Sequence, residues 1–222
     1  MITINDFQTN GYVVPMPHSV DVAVNNGVDT AHKQNFGQTF ASSQGTQAYP
    51  HVYNLRLDPG ADTVFLPYYQ DQAASVRLPS HGPRFFVTSN LSGCAIYIGV
   101  NTNNSLIVIH SNSQTDSGAV VMNAHEPSFQ SQNALQELDR RAQYAKNRHG
   151  GPVRIACVLS KATYLGSLDA MIQNGGQWLG GTTVAGWRTP GTNNWQFHYQ
   201  IWGSVAGGPV QLRRSREFYR NF

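Results

Sequence analysis

Cys94 and His110 are the two side chains of this 222-residue chain whose types and spacing could do covalent chemistry together. Cys94 ends the string Thr88-Ser-Asn-Leu-Ser-Gly-Cys94 and opens an apolar run, Ala95-Ile-Tyr-Ile-Gly99. His110 closes a second run, Leu106-Ile-Val-Ile-His110. Between the runs lies Val100-Asn-Thr-Asn-Asn-Ser105, rich in residues that tolerate turn conformations. Two short β-type runs around such a loop read as a hairpin, and folding it brings the outer ends together. Those ends are a thiol and an imidazole, the minimal apparatus of a cysteine nucleophile.

If the hairpin pairs with positions summing to 204, residue 98 faces 106, 96 faces 108 and 94 faces 110. Directly opposed residues hold their Cβ atoms about 4.5–5.5 Å apart, close enough for sulfur to meet a ring nitrogen. A slip of one residue would send the two side chains to opposite faces. In register, an imidazolium at His110 lowers the thiol pKa from about 8.5, holds the thiolate as an ion pair and later protonates the leaving group. Gly93 lets a substrate approach the backbone with no Cβ in the way, and the Gly93 and Cys94 amides are candidate oxyanion donors. Thr88, whose segment runs beside the hairpin, is the candidate for orienting the histidine. The plainer reading is that Cys94 is a small hydrophobe opening a core strand, because cysteine is among the most buried residue types. Cys157, inside Arg154-Ile-Ala-Cys-Val-Leu159, has neither a preceding glycine nor a matching histidine and reads as structural.

The elements that must position this pair are mostly strands. Ser19–Val24 alternates and ends at Asn25-Asn-Gly27, while residues 28–50 lack periodicity and read as surface wandering. Tyr53, Leu55 and Leu57 give a half-buried strand stopped by Asp58-Pro-Gly60; Thr63–Leu66 is a strand broken by Pro67, and Arg84–Thr88 leads into the Cys94 segment. Asn133–His149 places Leu135, Leu138, Ala142 and Ala145 on one helical stripe, with Glu137 and Asp139 toward its start and Gly150-Gly151 as a stop. Val153–Leu159 reads as a buried strand, Leu165–Asn174 as a short helix and Thr182–Trp187 as a strand. Trp195, Phe197, Tyr199 and Ile201 alternate cleanly with polar residues, and residues 209–213 suggest an edge strand. Repeated βα units are absent, which disfavours a doubly wound parallel sheet. The expectation is an α+β fold: a sandwich of mixed or antiparallel sheets with a few flanking helices, in one domain spanning residues 1–222.

Composition narrows the function classes. Charged residues are 12% of the chain, about half the usual share. The net charge is +3, partly from Arg213, Arg214, Arg216 and Arg220, a basic end that reads as solvated rather than as a nucleic-acid stripe. Two cysteines give no disulfide framework. The first residues show no secretory signal, and no apolar run reaches the roughly 18 residues of a membrane span. A soluble protein with reduced thiols is expected, without nucleic-acid or membrane partners. Eight histidines are scattered singly, and His125-Glu-Pro-Ser has no metal-ligand spacing.

Thr88-x-x-Leu91-Ser92-Gly93-Cys94 followed by a strand-end histidine resembles the catalytic core of the glutamine deamidase toxins of the cytotoxic necrotizing factor / Burkholderia lethal factor family. The Phe-Phe-x-Thr lead-in and the upstream Leu66-Pro67-Tyr68 also correspond, with weaker likeness in the glycine-rich C-terminal third and little in residues 1–50. The Cys-to-His interval is a few residues longer here than in the lethal factor, a difference that falls in the hairpin tip. The resemblance implies that Cys94 is the nucleophile, His110 its partner and Thr88 the histidine-orienting position, with Leu91, Ser92 and Gly93 shaping the motif. It implies no cofactor and no metal. It also implies a monomeric bacterial toxin or effector, released or translocated to the host cytoplasm. There it converts a glutamine of a host protein, such as a translation initiation factor helicase or a small GTPase, to glutamate.

Two other classes stay open. A transglutaminase or thiol protease would use the same Cys-His pair on a different acceptor or bond. A non-enzymatic β-sandwich module binding carbohydrate or protein would use Trp178, Trp187, Trp195 and Trp202, which sit among glycines and amides.

Overall fold

The structure, a computed structural model, describes residues 32–34, 39–44, 53–57, 63–66, 73–89, 91, 93–112, 132–165, 178–205 and 211–221. Among the described residues, twelve strands and two helices run in chain order. They are β1 (His32–Gln34), β2 (Thr39–Gln44), β3 (Tyr53–Leu57), β4 (Thr63–Leu66), β5 (Ala73–Arg77), β6 (Phe85–Thr88), β7 (Ala95–Asn101) and β8 (Leu106–Ser111). Helix α1 (Gln132–Arg148), β9 (Val153–Leu159), helix α2 (Lys161–Leu165), β10 (Trp178–Arg188), β11 (Trp195–Val205) and β12 (Gln211–Arg220) follow.

The strands form two sheets of mixed direction. One has five strands, ordered β1-β5-β8-β7-β9; the other has seven, ordered β12-β11-β10-β6-β4-β2-β3. Among the described residues, only β1 with β5 and β4 with β6 pair in parallel. The main core lies between the sheets. The five-stranded sheet supplies Ala74, Val76, Ile96, Ile98, Leu106, Val108 and Leu159. The other supplies Val64, Leu66, Phe86, Val184 and the alternating set Trp195, Phe197, Tyr199, Ile201. A second cluster fills the back of the five-stranded sheet, where Ala95, Tyr97, Ile107 and Ile109 meet Leu138, Ala142 and Ala145 of α1. Strands β7 and β8 are therefore buried on both faces, which is why their sequences run apolar instead of alternating. The α+β sandwich with flanking helices is the architecture observed.

Several expectations change. β1 and β2 form within residues 28–50, where no periodicity was visible. β9 is an edge strand with Arg154 and Val158 exposed, not a buried one. The basic end is strand as well as solvated: it forms the edge strand β12, paired with β11, on which Arg214, Arg216 and Arg220 are exposed. α1 begins at Gln132, leaving no acidic residue in its first turn, while Lys146 and Arg148 do occupy the last. Gly150 and Gly151 then turn with φ of 68° and 73°, the left-handed region that glycine reaches without strain. Helix α2 lies at Lys161–Leu165, so all of the expected 165–174 helix beyond Leu165 falls outside the described residues. So do Ser19–Val24, Pro67-Tyr68, Ser92, His125 and the side chain of Trp202.

Candidate active site on the inner face of the β7–β8 ribbon

The hairpin tip sets the register of everything below it. Asn101 N donates to Ser105 O at 3.1 Å, closing a three-residue loop in which Asn104 has a φ of 60°. The Asn101 side-chain oxygen accepts the amides of Asn103 and Ser105 at 3.2 and 2.8 Å, an Asx arrangement that preorganises the turn. Asparagine tolerates the left-handed conformation this loop requires. The outcome is Val100 opposite Leu106, Ile98 opposite Val108 and Ile96 opposite His110.

Paired positions thus sum to 206, not 204. Cys94 is not directly opposed by His110; continuing the ladder from Ala95 and Ser111 sets Asn112 across from it. The shift is of two residues, so parity survives and Cys94 and His110 remain on one face, one rung apart along the diagonal. That face is the inner one. Cys94 packs with Ile96, Leu91 and Leu66 in the inter-sheet core, and His110 follows Leu106 and Val108 on the same side of β8.

Cys94 is 1% exposed. The Asn112 side-chain amide donates to its sulfur at 3.0 Å. Asn112 is itself held, because its carbonyl accepts from Arg141 at 3.1 Å and Arg141 bonds Glu137 at 2.6 Å. From the core side, the Tyr164 hydroxyl of α2 donates to the Cys94 carbonyl at 3.0 Å. Burial pushes the Tyr164 phenol well above its ordinary pKa, so it remains a donor.

His110 is also 1% exposed, between Ile96 of β7 and Ala74 of β5. Burial pushes the His110 pKa from 6.5 down to about 3, so the imidazole is neutral at physiological pH. The expected standing thiolate–imidazolium pair therefore gives way to a neutral imidazole, able to accept a proton rather than hold a charge. The physical cause is the cost of a cation away from water.

Thr88 ends β6 on the facing sheet, level with Leu66, and its alternation with Phe86 turns it toward the same interlayer space. Its hydroxyl accepts the Val184 amide at 3.1 Å; that bond ties β6 to β10 and does not reach His110. Leu91 is buried and bridges Thr182, its amide donating to the Thr182 carbonyl at 2.6 Å. Gly93 is half-buried, and a Cβ there would meet nothing within 4 Å, which leaves open space beside the Cys94 backbone. Cys157 is half-buried on β9, with its thiol donating to the Phe218 carbonyl at 3.5 Å and its pKa pushed up by burial. Neither cysteine forms a disulfide.

Asn112 and Tyr164 are the site residues that sequence reasoning missed. The first was within reach, because the correct register names it; nothing local points to the second. Among the described residues no cluster of His, Cys, Asp or Glu side chains could hold a metal ion, and no helix is long and apolar enough to cross a membrane. No protein-family model matches this chain, and no curated protein matches it.

Proposed function

We propose that this protein is a cysteine-dependent protein glutamine deamidase. The observation that carries the reading is the placement of Cys94 and His110 on one inner face at one end of a single β-ribbon, directly after the Leu-Ser-Gly-Cys string. The Cys94 sulfur attacks the carboxamide carbon of a glutamine while its proton passes to the neutral His110 imidazole. His110 returns that proton to the departing nitrogen, which leaves as ammonia. Water then hydrolyses the thioester, giving glutamate and restoring the thiol. The chemistry needs no metal or cofactor. By the resemblance of its motif, the chain acts as a monomeric bacterial effector on a protein of the host cytoplasm.

Attack requires a carboxamide to reach a sulfur that is covered at rest. The open space over Gly93 is the side from which the backbone at Cys94 can be approached. A specific observation favours a second reading: the apolar packing of Cys94 suits a structural thiol in a non-enzymatic sandwich module. Incubating wild type and Cys94→Ala with eukaryotic lysate separates the two. The deamidase reading predicts glutamine-to-glutamate conversion at one protein site by wild type alone. Conversion by neither, or by both alike, contradicts it.

A further inference from the structure

We propose that Asn112 is a catalytic residue of this site, whose side-chain amide holds the Cys94 sulfur and stabilises it as the thiolate. The assignment rests on the reading of Cys94 as the nucleophile. Three observations lead to it. Continued one step past Ala95 and Ser111, the 206 register sets Asn112, not His110, across from Cys94. Its amide donates to Sγ at 3.0 Å. Its main chain is fixed from α1 through Arg141, which Glu137 grips in turn. A donor so anchored does not need ordering when charge appears on the sulfur.

The chemistry requires such a group. A hydrogen bond to the ionised form of an acid favours that form and lowers its pKa. In a covered site the usual helper, a neighbouring imidazolium, is disfavoured by the same burial that covers the sulfur. A neutral amide carries no charge to desolvate and can still offer an N–H to developing negative charge. The proton leaving Sγ goes to His110, and the electron pair that remains is met by Asn112. The two residues then divide the work that a single charged histidine performs elsewhere.

The test reads the thiol, not turnover. With Cys157 replaced by serine, one thiol remains, and its thiolate absorbance can be titrated against a background that also carries Cys94→Ser. Relative to Cys157→Ser alone, Asn112→Ala should raise the midpoint by about one unit, the effect of losing one hydrogen bond to a charged acceptor. Asn112→Asp, nearly the same shape but bearing a like charge, should raise it further. Arg141→Met leaves residue 112 intact while releasing its carbonyl, and should give a smaller rise in the same direction. Unchanged midpoints in all three variants, or a fall in Asn112→Ala, would overturn the assignment. Because no substrate is involved, the expected shifts without any deamidation would instead remove the proposed function and leave the sulfur–amide interaction standing.

Discussion

The Tyr164 hydroxyl donates to the main-chain carbonyl of Cys94 at 3.0 Å, so the Cys94 backbone is held from inside the core by a residue seventy positions away. Both partners are buried, and neither can exchange this bond for water at no penalty. Tyr164→Phe keeps the packing and removes this buried bond. It should destabilise the fold by about 1–3 kcal/mol, read as a lower urea midpoint at unchanged slope.

Acid should weaken the fold in a defined window. Burial pushes His110 to about 3, and burial with the nearby Arg77 charge pushes His149 to about 4, both from 6.5. The fold holds these rings neutral, so their contribution is whole above pH 6.5 and is lost as pH falls through the depressed values. His149, whose Nε2 lies 2.6 Å from Ser75 Oγ, titrates first. Urea midpoints measured from pH 7 to 4 should fall in wild type and fall less steeply in His149→Gln. Equal slopes would contradict the assignment.

Glu137 extends the loss to lower pH. Its bonds to Arg140 and then Arg141 hold its carboxyl at about 2, below the ordinary 4.5. Its contribution is complete above pH 4.5 and disappears as pH approaches 2. Glu137→Gln should flatten the acid limb below pH 4.5 and leave the limb above it unchanged. A change confined to the upper limb would count against the pairing.

Gly99 is a steric requirement of β7. A Cβ there would lie 2.7 Å from Val153 Cγ1, and Val153 is buried against α1. Gly99→Ala should cost about 1–3 kcal/mol through overpacking, and Val153→Ala should recover part of that loss in a double-mutant cycle. Additive effects would place the strain elsewhere.

Much of the strand pattern was legible because each strand's burial is written in its own residues. Trp195, Phe197, Tyr199 and Ile201 alternate because one face of β11 meets the core. β5 was missed because Ala73-Ala-Ser-Val-Arg77 is short and small-sided, and its worth lies in fitting beside His110 rather than in any local signal. β1 gains its pairing from the distant β5, and β2 from the neighbouring β3 and β4, which its own periodicity does not record. At the site, the even pairing that keeps Cys94 and His110 on one face held, but the apolar runs of β7 and β8 carry no alternation to fix either parity or register. Register depended on whether Asn103 or Thr102 centres the loop, a choice settled by Asn101 and Asn104. The exchange of His110 for Asn112 opposite the sulfur comes from that choice.

The most direct test compares the two thiols of the native protein. Burial alone predicts that half-buried Cys157 reacts with iodoacetamide before Cys94, which is 1% exposed. A nucleophile predicts the reverse, because thiolate character governs alkylation. Peptide mapping after brief labelling at neutral pH should find Cys94 modified first, and modified more slowly once His110 is replaced by glutamine. Labelling of Cys157 first, with Cys94 reacting only after denaturation, would contradict the catalytic role of the pair.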